Sequence, residues 1–486
     1  MYKSNSILSF NSALKYSILF ISVLCFGFSG NAIAQTNWSL QRCITYAKEN
    51  SIAIKQNLNN VELARLNLEQ SKGNRYPTLN GSGGYSVNFG RNIDPTTNEF
   101  TTTSIQAGNT SLSSGWNIYS GLQVKNSILQ SETELRAAQF DYDAAADDID
   151  LQVLNLYMSI VLAKAQVKIA EKQVENTLQQ QNRTQGLIDA GMLPSGDMLD
   201  IEAQLANDNL VKTNAINQVE LSKSSLKNLL NLDYAAFFDI TDSEFLMPSE
   251  TALAALNPEQ VYANAINNTP QFKSDYLKLK SAKIGVDIAK GALQPSVSLF
   301  GNLNTRFSNA AMEIDRIVFE GDKEIGFLST DFTPVLAPDF SATFKNSTFL
   351  DQIQDNFGRS VGLNVSVPIF NGFQRKINVS KAKLALENVK VSSELRKNQL
   401  RNTLQQAYIN VMAAKNQYNA ALKTIEASKK AYEFSKEKYD LGLSSTLDVN
   451  TAQNNLFRAE ASLNQSKYDL IYKAKVLDHY QGIKNY

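Results

Sequence analysis

Apolar residues at Leu151, Leu154, Met158, Val161, Ala165 and Ile169 are separated by threes and fours, the spacing of one stripe along a helix. After Gly191 the stripe resumes at Ile201, Leu205, Ala215, Val219, Leu226 and Leu230. No proline lies between Asn117 and Leu193 and none follows Pro368, and from Phe373 to Leu441 there is no glycine either. Inside a helix proline costs about 3 kcal/mol and glycine about 1 kcal/mol, so these gaps predict long helices over about 121–190 and 373–441. Shorter return helices follow at about 195–230 and 446–478. A helix of about 70 residues is a rod of roughly 105 Å, and its seams suit antiparallel coiled-coil packing.

Before each long helix the period changes from helical to two. In Val361–Ile369 apolar residues alternate with Gly362, Asn364, Ser366 and Pro368, and Leu112, Ser114, Trp116 and Ile118 are the matching positions upstream. Partner segments start at Tyr76-Pro77 and at Pro295. Four strands are therefore predicted, at about 76–91, 103–119, 295–307 and 356–370. Each exceeds the about 9–11 residues that a tilted membrane strand needs. Tyr76, Trp116, Tyr119 and Phe370 stand near strand ends, where interfacial aromatic girdles are found.

The chain is written twice. Gly121 to Gly191 and Gly372 to Gly442 are both separations of 70, and at the same offset of 251 Asp197 falls on Asp448 and Leu205 on Leu456. Upstream the offset is 218: Asn50 falls on Asn268, Ala64 on Ala282, Gly73 on Gly291 and Pro77 on Pro295. The difference of 33 is an insertion in the second copy, read as a loop over 308–354. Repeat one is placed at 35–254, repeat two at 255–486, and a linker region at 231–259. Such internal self-similarity defines the architecture before any single element does.

Charge and composition narrow the function. Lys+Arg and Asp+Glu are both 47, so no net basic charge points to nucleic acid. One histidine, His479, and two cysteines leave no His/Cys metal site, and His479 is read as solvated. Cys43 is read as a small apolar residue in a helix. Lys3 and Lys15 precede an apolar run over 16–28 and then Ala32-Ile33-Ala34, the form of a signal peptide cleaved after Ala34. No later run of 18 apolar residues is seen, so no membrane-spanning helix is predicted. Gly81-Ser82-Gly83-Gly84 lacks the Lys and Ser/Thr of a phosphate loop, and no HExxH, GxSxG or CxxC occurs. The expectation is an exported non-enzyme without a cofactor.

Four strands in a bilayer leave two open edges whose backbone groups would be unsatisfied, so closure needs further copies of the chain. Two copies would supply eight strands and three would supply twelve. A periplasmic coiled-coil scaffold or tether that never enters a membrane is the alternative. A stand-alone porin would have no use for two long rods.

The sequence Val367-Pro-Ile-Phe-Asn-Gly372, the sequence Tyr439-Asp-Leu-Gly442-Leu-Ser-Ser-Thr-Leu-Asp448-Val449 and the duplication together resemble the TolC family of outer-membrane efflux and secretion ducts, over nearly the whole chain after the signal. The resemblance implies an α+β membrane protein: a homotrimer whose four strands per chain build a 12-strand β-barrel, continued by a long periplasmic α-helical barrel. It implies docking to a periplasmic adaptor and an inner-membrane transporter, and a location in the outer membrane with most of the chain in the periplasm. The outer loops would be 92–102 and 308–354, and 231–259 would join an equatorial collar. The periplasmic tips would be Gly191, Met192 and Leu193 in copy one and Gly442, Leu443, Ser444 and Ser445 in copy two, the candidate adaptor contacts. Glycine supplies the left-handed turn at a helix end, and Ser195, Ser445 or Thr446 can cap the following start. Asp197 and Asp448 stand where a helix N-terminus favours an acid. Asp448 matches the first acidic constriction position of the family; the second is Thr451 here and the basic lock position is Ser444, a departure from the family pattern. Asp197 and Asp200 are further acidic candidates for the pore.

Overall fold

The computed structural model describes residues 37–93, 100–102, 104–241, 245–250 and 257–483; the expected signal peptide lies outside the described residues. In chain order the elements are α1 (Leu40–Asn50), α2 (Ile52–Gly73), β1 (Thr78–Asn88), β2 (Asn92–Ile93), β3 (Phe100–Thr101) and β4 (Ile105–Ser120). They continue with α3 (Gln123–Asp189), α4 (Gly196–Leu230), α5 (Pro258–Asn268), α6 (Pro270–Gly291), β5 (Ser296–Ser308), β6 (Met312–Phe327) and β7 (Pro334–Asn346). Last come α7 (Phe349–Asp355), β8 (Gly358–Ser366), α8 (Gln374–Asp440) and α9 (Thr446–Tyr480). The two long helices α3 and α8 are both 67 residues, about 100 Å each. Their return helices α4 and α9 are both 35 residues.

The chain divides into two compact units. The helical unit comprises Asp143–Thr269, Gln399–Tyr486 and the chain up to Gln56. Its core follows the apolar stripe, with Leu154, Tyr157, Ile160, Ile201, Leu226, Leu230, Leu470, Ile471 and Leu477 almost wholly buried. One stretch of α3 has a mean hydropathy of 1.3, by length and composition enough to cross a membrane, but half of it is buried. Fully buried Val153, Leu154, Tyr157 and Ile160 account for this helix as core of the unit.

The N-terminal segment is tied into the same unit by backbone bonds from Trp38 N to Asp239 O (2.8 Å) and from Thr241 N to Trp38 O (3.0 Å). Tyr157 donates its hydroxyl to the Thr241 carbonyl at 2.9 Å. Asp239 takes ion pairs from Lys164 (2.9 Å) and Lys223 (3.5 Å). Burial alone would raise the Asp239 pKa, but the Lys164 hydrogen bond, the Ile240 backbone N–H and both lysine charges outweigh it and hold it below 3.8. Cys43 is fully buried, and burial pushes its thiol up to about 12, as an inert apolar side chain would be. His479 is buried, 8% exposed, at the end of α9 with its ring edge-on to Tyr480, not solvated as expected. Its neighbours on the last helical turns pack into the core, and the ring goes with them.

The second unit, Asn57–Tyr142 and Pro270–Asn398, carries one four-stranded antiparallel sheet in the order β1-β4-β5-β8. Each repeat contributes one hairpin, and β4–β5 is the joint between them. Among the described residues β1 and β8 are the unpaired edges of this sheet. Every position of β1 is exposed, because a single chain leaves both faces of the sheet uncovered.

Two expectations are corrected here. β8 stops at Ser366, short of the 370 expected; Pro368 lacks the N–H a ladder needs. The insertion at 308–354 is not a loop: it holds the antiparallel hairpin β6–β7 and the short helix α7. The cross-strand pairs Ile314↔Phe344, Ile317↔Ala342 and Phe319↔Phe340 put apolar side chains on one face of this ribbon. The ion pairs Lys345–Glu313 (3.1 Å) and Lys323–Asp339 (3.7 Å) lie on the other. Three register irregularities shift the alternation along β6, which hides its period in the sequence. In the first outer loop, Asn92–Ile93 pairs with Phe100–Thr101.

Candidate functional site

The two helix-to-helix turns of the helical unit have the same backbone. In copy one Gly191 has φ +72° and donates its N–H to Ile188 O at 2.9 Å, while Met192 donates to Leu187 O at 2.8 Å. In copy two Gly442 has φ +72° and donates to Tyr439 O at 3.0 Å, while Leu443 donates to Lys438 O at 2.8 Å. This pair of bonds closes the last helical turn around a left-handed glycine. The turns then present apolar residues to solvent: Met192 is 71% exposed and Leu443 73%. Leu193 and Ser444 are half-buried and Ser445 is exposed.

After the turn the copies diverge. Ser445 is the N-cap of α9: its Oγ accepts from Asp448 N at 3.2 Å, and Asp448 Oδ2 accepts from Ser445 N at 3.1 Å. This reciprocal pair satisfies donors that a helix start otherwise leaves open. Asp448 Oδ2 also accepts from Ser445 Oγ (2.8 Å) and Ser444 Oγ (3.0 Å). These hydrogen bonds, Ser445 first, and the Lys438 charge hold the exposed Asp448 carboxyl below 3.8. Thr451, one turn on, is exposed and donates its hydroxyl to Leu447 O at 2.8 Å. Thr446 does not cap; it is buried and donates its hydroxyl to Tyr439 Oη at 3.4 Å.

Copy one lacks the box because Pro194 stands where Ser445 stands in copy two. Ser195 makes no side-chain cap and is already helical, with φ −62° and ψ −18°, contrary to its expected capping role. Asp197 is half-buried in the first turn of α4, and Asp200 is exposed.

Behind the tips the seam between helices turns polar, which the stripe reading missed. Asp208 is 4% exposed and accepts from Thr177 Oγ1 (2.7 Å), Gln204 Nε2 (2.7 Å) and Gln173 Nε2 (3.5 Å). Gln453 of α9 reaches Thr177 at 3.4 Å, and Gln204 exchanges two 3.2 Å bonds with Asn454. Thr184 Oγ1 and Gln180 Nε2 are buried without a hydrogen-bond partner among the described residues. Asp208 sits three residues past Leu205, on the stripe itself, so a polar residue in an apolar phase was the available signal. α3, α8 and α9 also line an open polar cleft of about 770 Å³ beside Gln180, Arg183, Tyr439 and Gln453. Arg183 bridges α3 to Asp440 of α8 at 2.7 Å.

The profile of the family described as outer membrane efflux protein matches residues 43–232 and 261–482. The chain is 20% identical over 442 residues to the outer membrane efflux protein BepC of Brucella suis biovar 1, covering 90% of this chain and 84% of that one. It is 22% identical over 375 residues to the outer membrane protein TolC of Vibrio cholerae, 74% of each chain. Its fold is similar to that of the CusC transmembrane channel, with a TM-score of 0.71 at 16% identity and 91% of each chain covered. The two matched segments coincide with the two repeats, each with its hairpin, long helix and tip: this chain belongs to the outer membrane efflux protein family.

Proposed function

We propose that three copies of this efflux duct close one twelve-strand barrel in the outer membrane, and that the helix tips form its periplasmic mouth. Belonging to this family makes the chain a conduit for efflux or secretion and not an enzyme. Its strands sit in the outer membrane and most of the chain lies in the periplasm. Passage through a duct is passive, so an inner-membrane transporter and a periplasmic adaptor supply the energy and the connection.

The observation that carries the reading of the tips is that two long helices of equal length end in glycine turns with the same φ and the same pair of backbone bonds. A structural role alone needs the left-handed glycine but not the exposed Met192 and Leu443 beyond it. Gly191, Met192 and Leu193, with Gly442, Leu443, Ser444 and Ser445, form the surface offered to the adaptor's helical hairpin. Asp448 is the acid of the constriction, with Thr451 and Ser444 flanking it and Asp197 and Asp200 as further acids. Threefold symmetry turns Asp448 into a ring that favours cations. Photocrosslinking from Leu443 to a co-expressed adaptor tests the docking half. Labelling at the tip is the expected result, and labelling confined to the 231–259 region would contradict it.

A further inference from the structure

We propose that Phe300 is a contact site for cargo on the wall of the barrel lumen, an exposed ring on which aromatic organic solutes rest as they pass. The inference rests on the barrel reading above and adds a class of substrate.

Opposed residues of an antiparallel pair point the same way, so the register sorts the four strands into two faces. Leu112, Leu303, Leu299, Leu363 and Val361 share one face, and Ser82, Ser111, Asn304, Asn302 and Ser360 share the other. In an outer-membrane barrel the apolar face meets lipid and the polar face lines the lumen. By the same register Phe300 stands on the polar face, opposite Gly115 of β4 and Gly362 of β8. Among the described residues of these strands it is the one aromatic on that face.

The ring is held in place. Its far end leans onto Gly362, where a Cβ would lie 2.7 Å from Phe300 Cε1 and nearer still to Cζ. Aromatic side chains shield strand glycines in this way, and here the seat fixes the ring while leaving it 45% exposed. Shielding alone asks for apolar bulk and not for a π-face turned to the channel. A ring already ordered loses little freedom when a second ring stacks on it.

The rest of the wall points to an organic partner. The four strands contain no Asp, Glu, His, Cys or Met, so they offer a metal ion none of the carboxylate, imidazole or sulfur ligands it selects. The one charge on the polar face, Arg306, is six residues further along β5, about 20 Å away. Contact at Phe300 is therefore set by the solute's ring and not by its charge. Eight strands make a barrel that side chains just fill. Twelve leave the three Phe300 rings apart at one height, separate platforms and not a gate.

Single-channel block in planar bilayers reads this contact, using phenyl glucoside and cyclohexyl glucoside as neutral probes of nearly equal size. The phenyl compound is expected to dwell roughly two- to twelvefold longer, the range of an aromatic pair beyond its buried area. Phe300→Leu keeps apolar bulk over Gly362 and is expected to erase the difference, whereas Phe300→Trp is expected to retain it. Gly362→Ala displaces the ring from its seat and is expected to shrink the difference. Equal dwell times in the unaltered channel, or a difference that survives Phe300→Leu, would overturn the contact site and leave the duct standing. Where Phe300→Leu fails to assemble, an unchanged difference in Gly362→Ala overturns it instead. A native mass other than three chains, with no channels formed, would overturn the barrel reading and the contact site with it.

Discussion

At Asp448, Oδ2 takes all three bonds from Ser444 and Ser445, so one carboxylate both starts a helix and places a charge at the tip. Asn can accept the same bonds without the charge. Asp448→Asn is therefore expected to keep the tip folded while cation preference in planar bilayers falls; an unchanged reversal potential would count against the ring. Ser445→Ala removes the cap and is expected to cost about 1 kcal/mol, read as faster amide exchange over the first turn of α9. Hydrogen bonds from Ser445 and Ser444 hold the Asp448 carboxyl below its ordinary value, so any cation preference of the proposed ring is expected to be lost only as pH falls into the acid range where that carboxyl protonates. Asp239 follows the same sign. Its depressed pKa contributes stability above 3.8 that is lost as pH falls through the lower folded-state value. A red shift of Trp38 fluorescence is expected only in that acid range, whereas a shift already complete at pH 5 would exclude Asp239 as the cause. Asp448 and the tip glycines were legible in the sequence because caps and left-handed turns are local chemistry. Buried Asp208 was not, since two of its three partners, Gln173 and Thr177, lie on α3, 35 and 31 residues back.

Among the elements, the long helices could be read because missing proline and glycine act over every turn. The boundaries of β8 and the nature of the insertion could not. β8 ends at Ser366, two residues before Pro368, while the apolar alternation runs on through Val367 to Ile369, and the β6–β7 bulges break the period that would have marked a hairpin. Copy one builds the same strand pair without any such insertion. Deleting Met312–Asn346 with a short linker is therefore expected to leave a trimer that inserts in the outer membrane. Loss of the folded protein would make the hairpin part of the barrel's own stability. Along α3 the seam changes from Val153, Leu154 and Ile160 to Gln173, Thr177 and Thr184. Buried polar groups, some unsatisfied, stabilise less than close-packed apolar ones. Amide exchange is expected to be faster over 173–189 than over 150–163, and equal protection along the helix would contradict the weaker hold of the polar seam.

For the whole molecule, the sheet's open edges β1 and β8 require other copies in a membrane, yet no residue of one chain states how many. The duplication was visible as two equal glycine separations, and the family places the chain among outer-membrane efflux ducts. Extraction from isolated outer membranes in mild detergent, with the native mass corrected for bound detergent, tests that account most directly. Three chains per particle is the expected result. A monomer recovered from the periplasm without detergent would contradict it and leave the coiled-coil tether in its place.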